Sequence, residues 1–107
     1  MGMFDWFEPE GTFTCPTCGA DVVGWTTEDG AAWQGKDGPC VLFVWRQGRK
    51  HPVRHAVDAD VRIADLSGEV LPGEFRLYAQ CPKDHWVDAV GRCDPSGTWH
   101  ETRLVPQ

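Results

Sequence analysis

Apolar and polar residues alternate most cleanly in the second half of the chain. Phe75, Leu77 and Ala79 fall between Arg76, Tyr78 and Gln80. A period of two places neighbouring side chains on opposite faces, so this run predicts a half-exposed strand. Trp86 to Cys93 predicts a second strand, Asp94-Pro95-Ser96-Gly97 has turn chemistry, and Thr98 to Val105 returns to complete a hairpin. Cys40-Val41-Leu42-Phe43-Val44-Trp45 is apolar throughout and rich in β-branched and aromatic types, which predicts a strand covered on both faces. Gln47-Gly48-Arg49-Lys50 and Leu71-Pro72-Gly73-Glu74 predict turns.

Elsewhere the pattern is weaker. Asp21 to Trp25 predicts a short strand. Two Asp-Gly steps, Asp29-Gly30 and Asp37-Gly38, predict turns on either side of Trp33, whose ring would hold the loop down. Val53 to Leu66 fits period two and a helical stripe almost equally. Its β-branched content favours extended structure, with a loop near Asp58-Ala59-Asp60. Residues 1–12 mix Phe4, Trp6 and Phe7 with acids and a proline, and predict an irregular lead-in that packs back onto the domain. No stretch combines helical periodicity with caps. The pattern therefore predicts a mostly β fold: one domain over residues 1–107, with about six to eight short strands.

Composition narrows the function classes. The chain has 107 residues, a formal net charge of −6 and a sequence pI of about 5.0. Such acidity opposes binding to nucleic acid through bulk charge. One local exception is Arg46-Gln47-Gly48-Arg49-Lys50-His51, followed by Arg54 and His55. Clusters of this kind are most often solvated hairpin tips, with contact to a phosphate or an acidic partner as the sharper reading. No apolar run approaches the length of a signal peptide or a membrane span, so the expectation is a cytoplasmic protein with no membrane association. In a reducing compartment, paired cysteines read as metal ligands rather than disulfides.

The chain carries 5 cysteines. Cys15-Pro16-Thr17-Cys18-Gly19 places two thiols on one tight turn. Gly19 is free to take the positive φ that brings backbone N–H groups to the sulfurs. Cys81-Pro82-Lys83-Asp84-His85 also opens with Cys-Pro, and makes Cys81 the natural third donor. For the fourth donor, His85 ranks first, four residues beyond Cys81. Cys93 ranks second and Asp84 third. The expected ion is Zn2+, held by Cys15, Cys18, Cys81 and His85, with no catalytic residue assigned. Cys40 reads as a small buried hydrophobe. A redox dithiol at Cys15 and Cys18 is disfavoured, because no helix start follows to lower the thiol pKa. His51, His55 and His100 read as surface histidines.

These two turns resemble the zinc-ribbon class, in which two β-hairpins each donate two ligands. The resemblance covers Cys15 to Gly19 well and Cys81 to His85 in part, because the second arm lacks its second Cys and the following Gly. It implies an antiparallel sheet inserted between the two arms. The opening Met1-Gly2-Met3-Phe4-Asp5, with Lys36-Asp37-Gly38 further on, is similar to small bacterial and phage proteins and carries no activity with it.

Three function classes follow. The first is a small acidic binding, adaptor or immunity-like protein that meets a protein partner through an aromatic-rich surface, with 6 Trp in the chain. The second is a nucleic-acid-binding zinc ribbon using Arg46 to Arg54. The third, ranked last, is a zinc hydrolase or thiol redox protein. No glycine-rich phosphate loop, nucleophile elbow or His-Glu-x-x-His is present.

Overall fold

The structure, a computed structural model, describes residues 4–22, 33–56 and 68–105. They form one mixed sheet of seven strands: β1 (Asp5–Glu8), β2 (Trp33–Gly35), β3 (Phe43–Arg46), β4 (Arg54–His55), β5 (Glu74–Gln80), β6 (Trp86–Cys93) and β7 (Trp99–Leu104). There is no helix among the described residues. None is therefore long and apolar enough to cross a membrane. The spatial order is β4-β3-β1-β2-β5-β6-β7.

The β5–β6–β7 meander follows the sequence pattern closely. Phe75, Leu77 and Ala79 are buried, while Glu74 and Arg76 face solvent. Val87 and Ala89 continue the inward face on β6, and Trp99 on β7. Phe7, Phe75 and Trp99 form a three-ring cluster. Phe7 stacks on Phe75 at 5.4 Å, and Trp99 meets them edge-on at 5.8 and 5.3 Å. Offset and edge-on pairs of this kind add attraction beyond the apolar area they bury. Gly91 makes room for them: a Cβ there would stand 2.4 Å from the Phe75 ring.

The sheet curls so that its β3 end reaches β7. Gly48 N–H donates to the Trp99 carbonyl at 2.7 Å. Gln47 donates from Nε2 to the His100 carbonyl, and its Oε1 accepts from Thr102 Oγ1 at 2.8 Å. Turn and strand are thereby clasped.

Residues 1–12 differ from the expected irregular lead-in. Asp5–Glu8 is a strand between β2 and β3, antiparallel to one and parallel to the other. Pairing on both sides is the reason, and it leaves Asp5 and Phe7 buried and Trp6 and Glu8 half-buried. The sheet is therefore antiparallel except at the β1–β3 pair, and only β2 to β5 are inserted between the two Cys arms, because β1 precedes the first arm and β6 and β7 follow the second. The strand expected from Cys40 begins only at Phe43, because Cys40 and Leu42 hold positive φ of 60° and 65°. The cause is Asp5, which is fully buried and accepts from the backbone N–H groups of Cys40, Val41 and Phe43, each at 3.1 Å. From Phe43 to Trp45 every residue is buried, as a strand covered on both faces requires. Trp33 lies within β2 and is 3% exposed, so it belongs to the core rather than to a loop. Asp21 forms an isolated bridge with Thr14. Val22 N–H donates to the Phe13 carbonyl at 2.8 Å, while positions 23–25 of the expected strand, and 57–66 beyond β4, lie outside the described residues.

Candidate metal centre

Two turns face each other across the end of the sheet. The first, Cys15 to Ala20, lies between β1 and β2. Cys15 N–H donates to the Ala20 carbonyl at 2.8 Å, and Gly19 N–H to the Cys15 carbonyl at 2.9 Å. Gly19 has a φ of 74°, the left-handed conformation that glycine adopts without steric cost. The second turn joins β5 to β6. Cys81 N–H donates to the His85 carbonyl and Asp84 N–H to the Cys81 carbonyl, both at 2.9 Å.

These turns bring Cys15, Cys18, Cys81 and His85 together, with one donor atom from each within 4.8 Å of the others. Cys18 Sγ stands 3.7 Å from Cys81 Sγ. His85 Nδ1 stands 3.5 Å from Cys81 Sγ and 3.8 Å from Cys15 Sγ. A tetrahedral ion at about 2.3 Å from sulfur and about 2.0 Å from nitrogen would set its donors about 3.8 Å apart for two sulfurs and about 3.5 Å for sulfur and nitrogen. The cluster matches that spacing and could hold a metal ion.

Backbone dipoles support the thiolates. The Cys15 thiol is pushed up by burial, but the N–H groups of Cys18 and Thr17 together with the Cys18 and Cys81 thiols outweigh that and bring it down to about 6. The Ala20 N–H pulls the Cys18 thiol down, but burial and the neighbouring Cys15 and Cys81 sulfurs together leave it raised. His85 N–H approaches Cys81 Sγ at 3.4 Å. Cys15 and Cys81 are buried, while Cys18 and His85 sit half-buried at the solvent edge.

The remaining candidates lie elsewhere. Cys93 closes the opposite end of β6 and is packed against the core. Asp84 is exposed and acts through its backbone, with a φ of 66°. Cys40 is only half-buried, and its Sγ donates to the carbonyls of Lys36 and Gly38. His51 Nδ1 meets the Glu69 carbonyl at 2.9 Å, and His55 sits edge-on to the Phe43 ring. His100 is exposed on β7. The structural importance of Asp5 was missed by the sequence reading. Its only local signal is an acid at an inward position of an alternating run.

No protein-family model matches the chain, and no solved structure matches it. Over 55 residues the chain is 34% identical to Protein Bel-2 of Simian foamy virus type 3 (strain LK3). The match covers 51% of this chain and 13% of that protein, so it establishes no family.

Proposed function

We propose that this chain is a small acidic binding or adaptor protein in which a structural zinc ion holds the fold and a protein partner is met through surface contacts. The observation that supports this reading is the complete donor set. Three sulfurs and one imidazole fill a tetrahedral shell and leave no position for a reacting water, which a catalytic zinc keeps. Thiolate-rich sets of this kind suit zinc among the common divalent ions. The apolar side chains left at the surface give a partner something to bury. Trp86 is 49% exposed beside the second turn and packs against Tyr78, and Val70 and Val41 are 50% and 40% exposed.

Zinc at this position would tie the chain near residue 15 to the chain near residue 81. By analogy with a disulfide, closing so long a loop is worth on the order of several kcal/mol, comparable with the whole net stability of about 5–15 kcal/mol of a small domain. Elemental analysis of protein purified without added metal should give one zinc per chain. Chelation, or Cys15→Ser, should then lower the melting temperature sharply, with far-UV and Trp signals lost together. A stripped protein that kept its fold and melting temperature but lost a hydrolytic or redox activity would replace the structural reading with a catalytic one.

A further inference from the structure

The turn between β3 and β4 carries charge that the metal centre does not use. Arg46, Arg49, Lys50 and His51 line one open cavity of about 450 Å3, together with Pro52 and Val53. No acidic residue occurs from position 46 to 55. Glu8 is shared between two guanidinium groups, accepting from Arg46 Nε at 2.8 Å and standing 3.9 Å from Arg54 Nη2. Glu10 is a second carboxylate at the turn, its Oε1 3.8 Å from where a Cβ on Gly48 would lie, and Glu69 and Asp94 belong to the segments that meet His51 and Lys50. Arg49 and Lys50 are exposed and make no ion pair among the described residues. The residues that line the cavity therefore include three cations and no carboxylate, in a chain whose net charge is −6.

A solvated hairpin tip would leave this turn unsupported, and the turn is instead held at three points. Gly48 N–H is bonded to the Trp99 carbonyl. The Lys50 stem lies across the β6–β7 turn, with Cε 3.3 Å from the Cβ position of Gly97. His51 donates from Nδ1 to the Glu69 carbonyl. A fixed backbone spares the cost of ordering the loop when a ligand binds and leaves only that of the side chains.

We propose that this cavity binds a compact dianionic oxyanion, a phosphoryl group carried by inorganic phosphate or by a small phosphate monoester. Guanidinium forks and an ammonium group match phosphoryl oxygens in geometry and charge. More cations converge here than a single carboxylate needs. A long polyanion is disfavoured, because beyond about 10 Å the acidic remainder of the chain faces it. The cavity adjoins the 94–98 turn, at the opposite end of β6 from the 81–85 turn and its Cys/His cluster. The two sites share no residue.

The test is a titration of zinc-replete, 15N-labelled protein with inorganic phosphate and, separately, with adenosine monophosphate and with a short oligonucleotide, at constant ionic strength against chloride and acetate. Saturable shifts confined to the amides of residues 46–51 and 53 are expected with one or both phosphates, and which one saturates names the source. Combined Arg49→Ala and Lys50→Ala substitution should weaken binding about tenfold or more, the loss of charge-assisted hydrogen bonds, while the β5 and β6 amides stay in place. If that variant does not fold, Arg49→Gln alone should show a smaller loss. Equal shifts with chloride or acetate, no saturation with either phosphate, or binding by an oligonucleotide only would overturn the proposal.

Discussion

Asp84 holds in the second turn the left-handed backbone that Gly19 holds in the first, at φ of 66° and 74°. The two residues are one step out of register. Gly19 lies four positions after Cys15, whereas Asp84 lies three after Cys81. The closing hydrogen bonds show the same offset, Cys15 to Ala20 against Cys81 to His85. In the first turn the second donor precedes the left-handed residue; in the shorter second turn it follows. His85 occupies the closing position, and its ring brings Nδ1 within 3.5 Å of Cys81 Sγ. The position where a standard second knuckle carries Cys is thus taken by a backbone hinge.

Asp84→Gly should keep the metal content unchanged and leave stability equal or slightly higher, within about 1 kcal/mol, because glycine occupies this conformation freely. Asp84→Val should cost on the order of 1–3 kcal/mol, since a β-branched residue is strained there. Thermal melts with zinc analysis check both. Loss of metal in the glycine variant would make the Asp84 carboxylate a ligand after all.

Asp5 predicts a second effect, remote from the metal. Its two oxygens accept from three backbone N–H groups across the start of β3. Asp5→Asn keeps one oxygen and turns an amide N–H2 towards a donor, so at least one buried N–H loses its partner. The expected loss is about 1–3 kcal/mol, read as a lower urea midpoint with the zinc stoichiometry intact. An unchanged midpoint would remove Asp5 from its organising role.

Local chemistry made the β5–β6–β7 meander and both Cys-Pro turns legible in the sequence. Alternation over Phe75–Gln80 and the Asp94-Pro95-Ser96-Gly97 turn need no distant partner to be recognised. The step from Cys81 to His85 likewise pointed to the imidazole that the turn brings in. What escaped depends on contacts far along the chain. Asp5–Glu8 is a strand because β2 and β3 pair on either side of it, and four residues carry too little pattern to announce that. The left-handed Cys40 and Leu42 lie in an apolar run that reads as uninterrupted strand. Only a carboxylate 35 positions earlier accounts for their conformation.

His85 and Cys93 separate cleanly by substitution. His85→Ala should lower zinc affinity strongly, because it removes one of four donors and exposes a gap at the solvent edge of the cluster. Cys93→Ser should leave affinity nearly unchanged, at a packing cost of about 1 kcal/mol, since its sulfur sits against the core at the far end of β6. Competition with a chromophoric chelator measures both. The reverse order would give Cys93 the fourth position.

Acid should remove the metal and the fold together. Cys15 has its thiol lowered from an ordinary 9.0 to about 6. A group depressed in the folded state contributes stability that is fully present above its unfolded value and is lost as pH falls through the folded one. Protons and zinc also compete for the same sulfurs, and Cys18, raised above the ordinary range, must give up its proton whenever the ion binds. Zinc should therefore be retained at neutral and alkaline pH, and retention should weaken as pH falls through about 6. The loss should steepen below that point as more than one sulfur protonates. Following released zinc with an indicator dye and the fold with Trp fluorescence should give coincident transitions, displaced to lower pH by added zinc. A fold that survived complete acid release of the metal would show that the sheet stands without its staple.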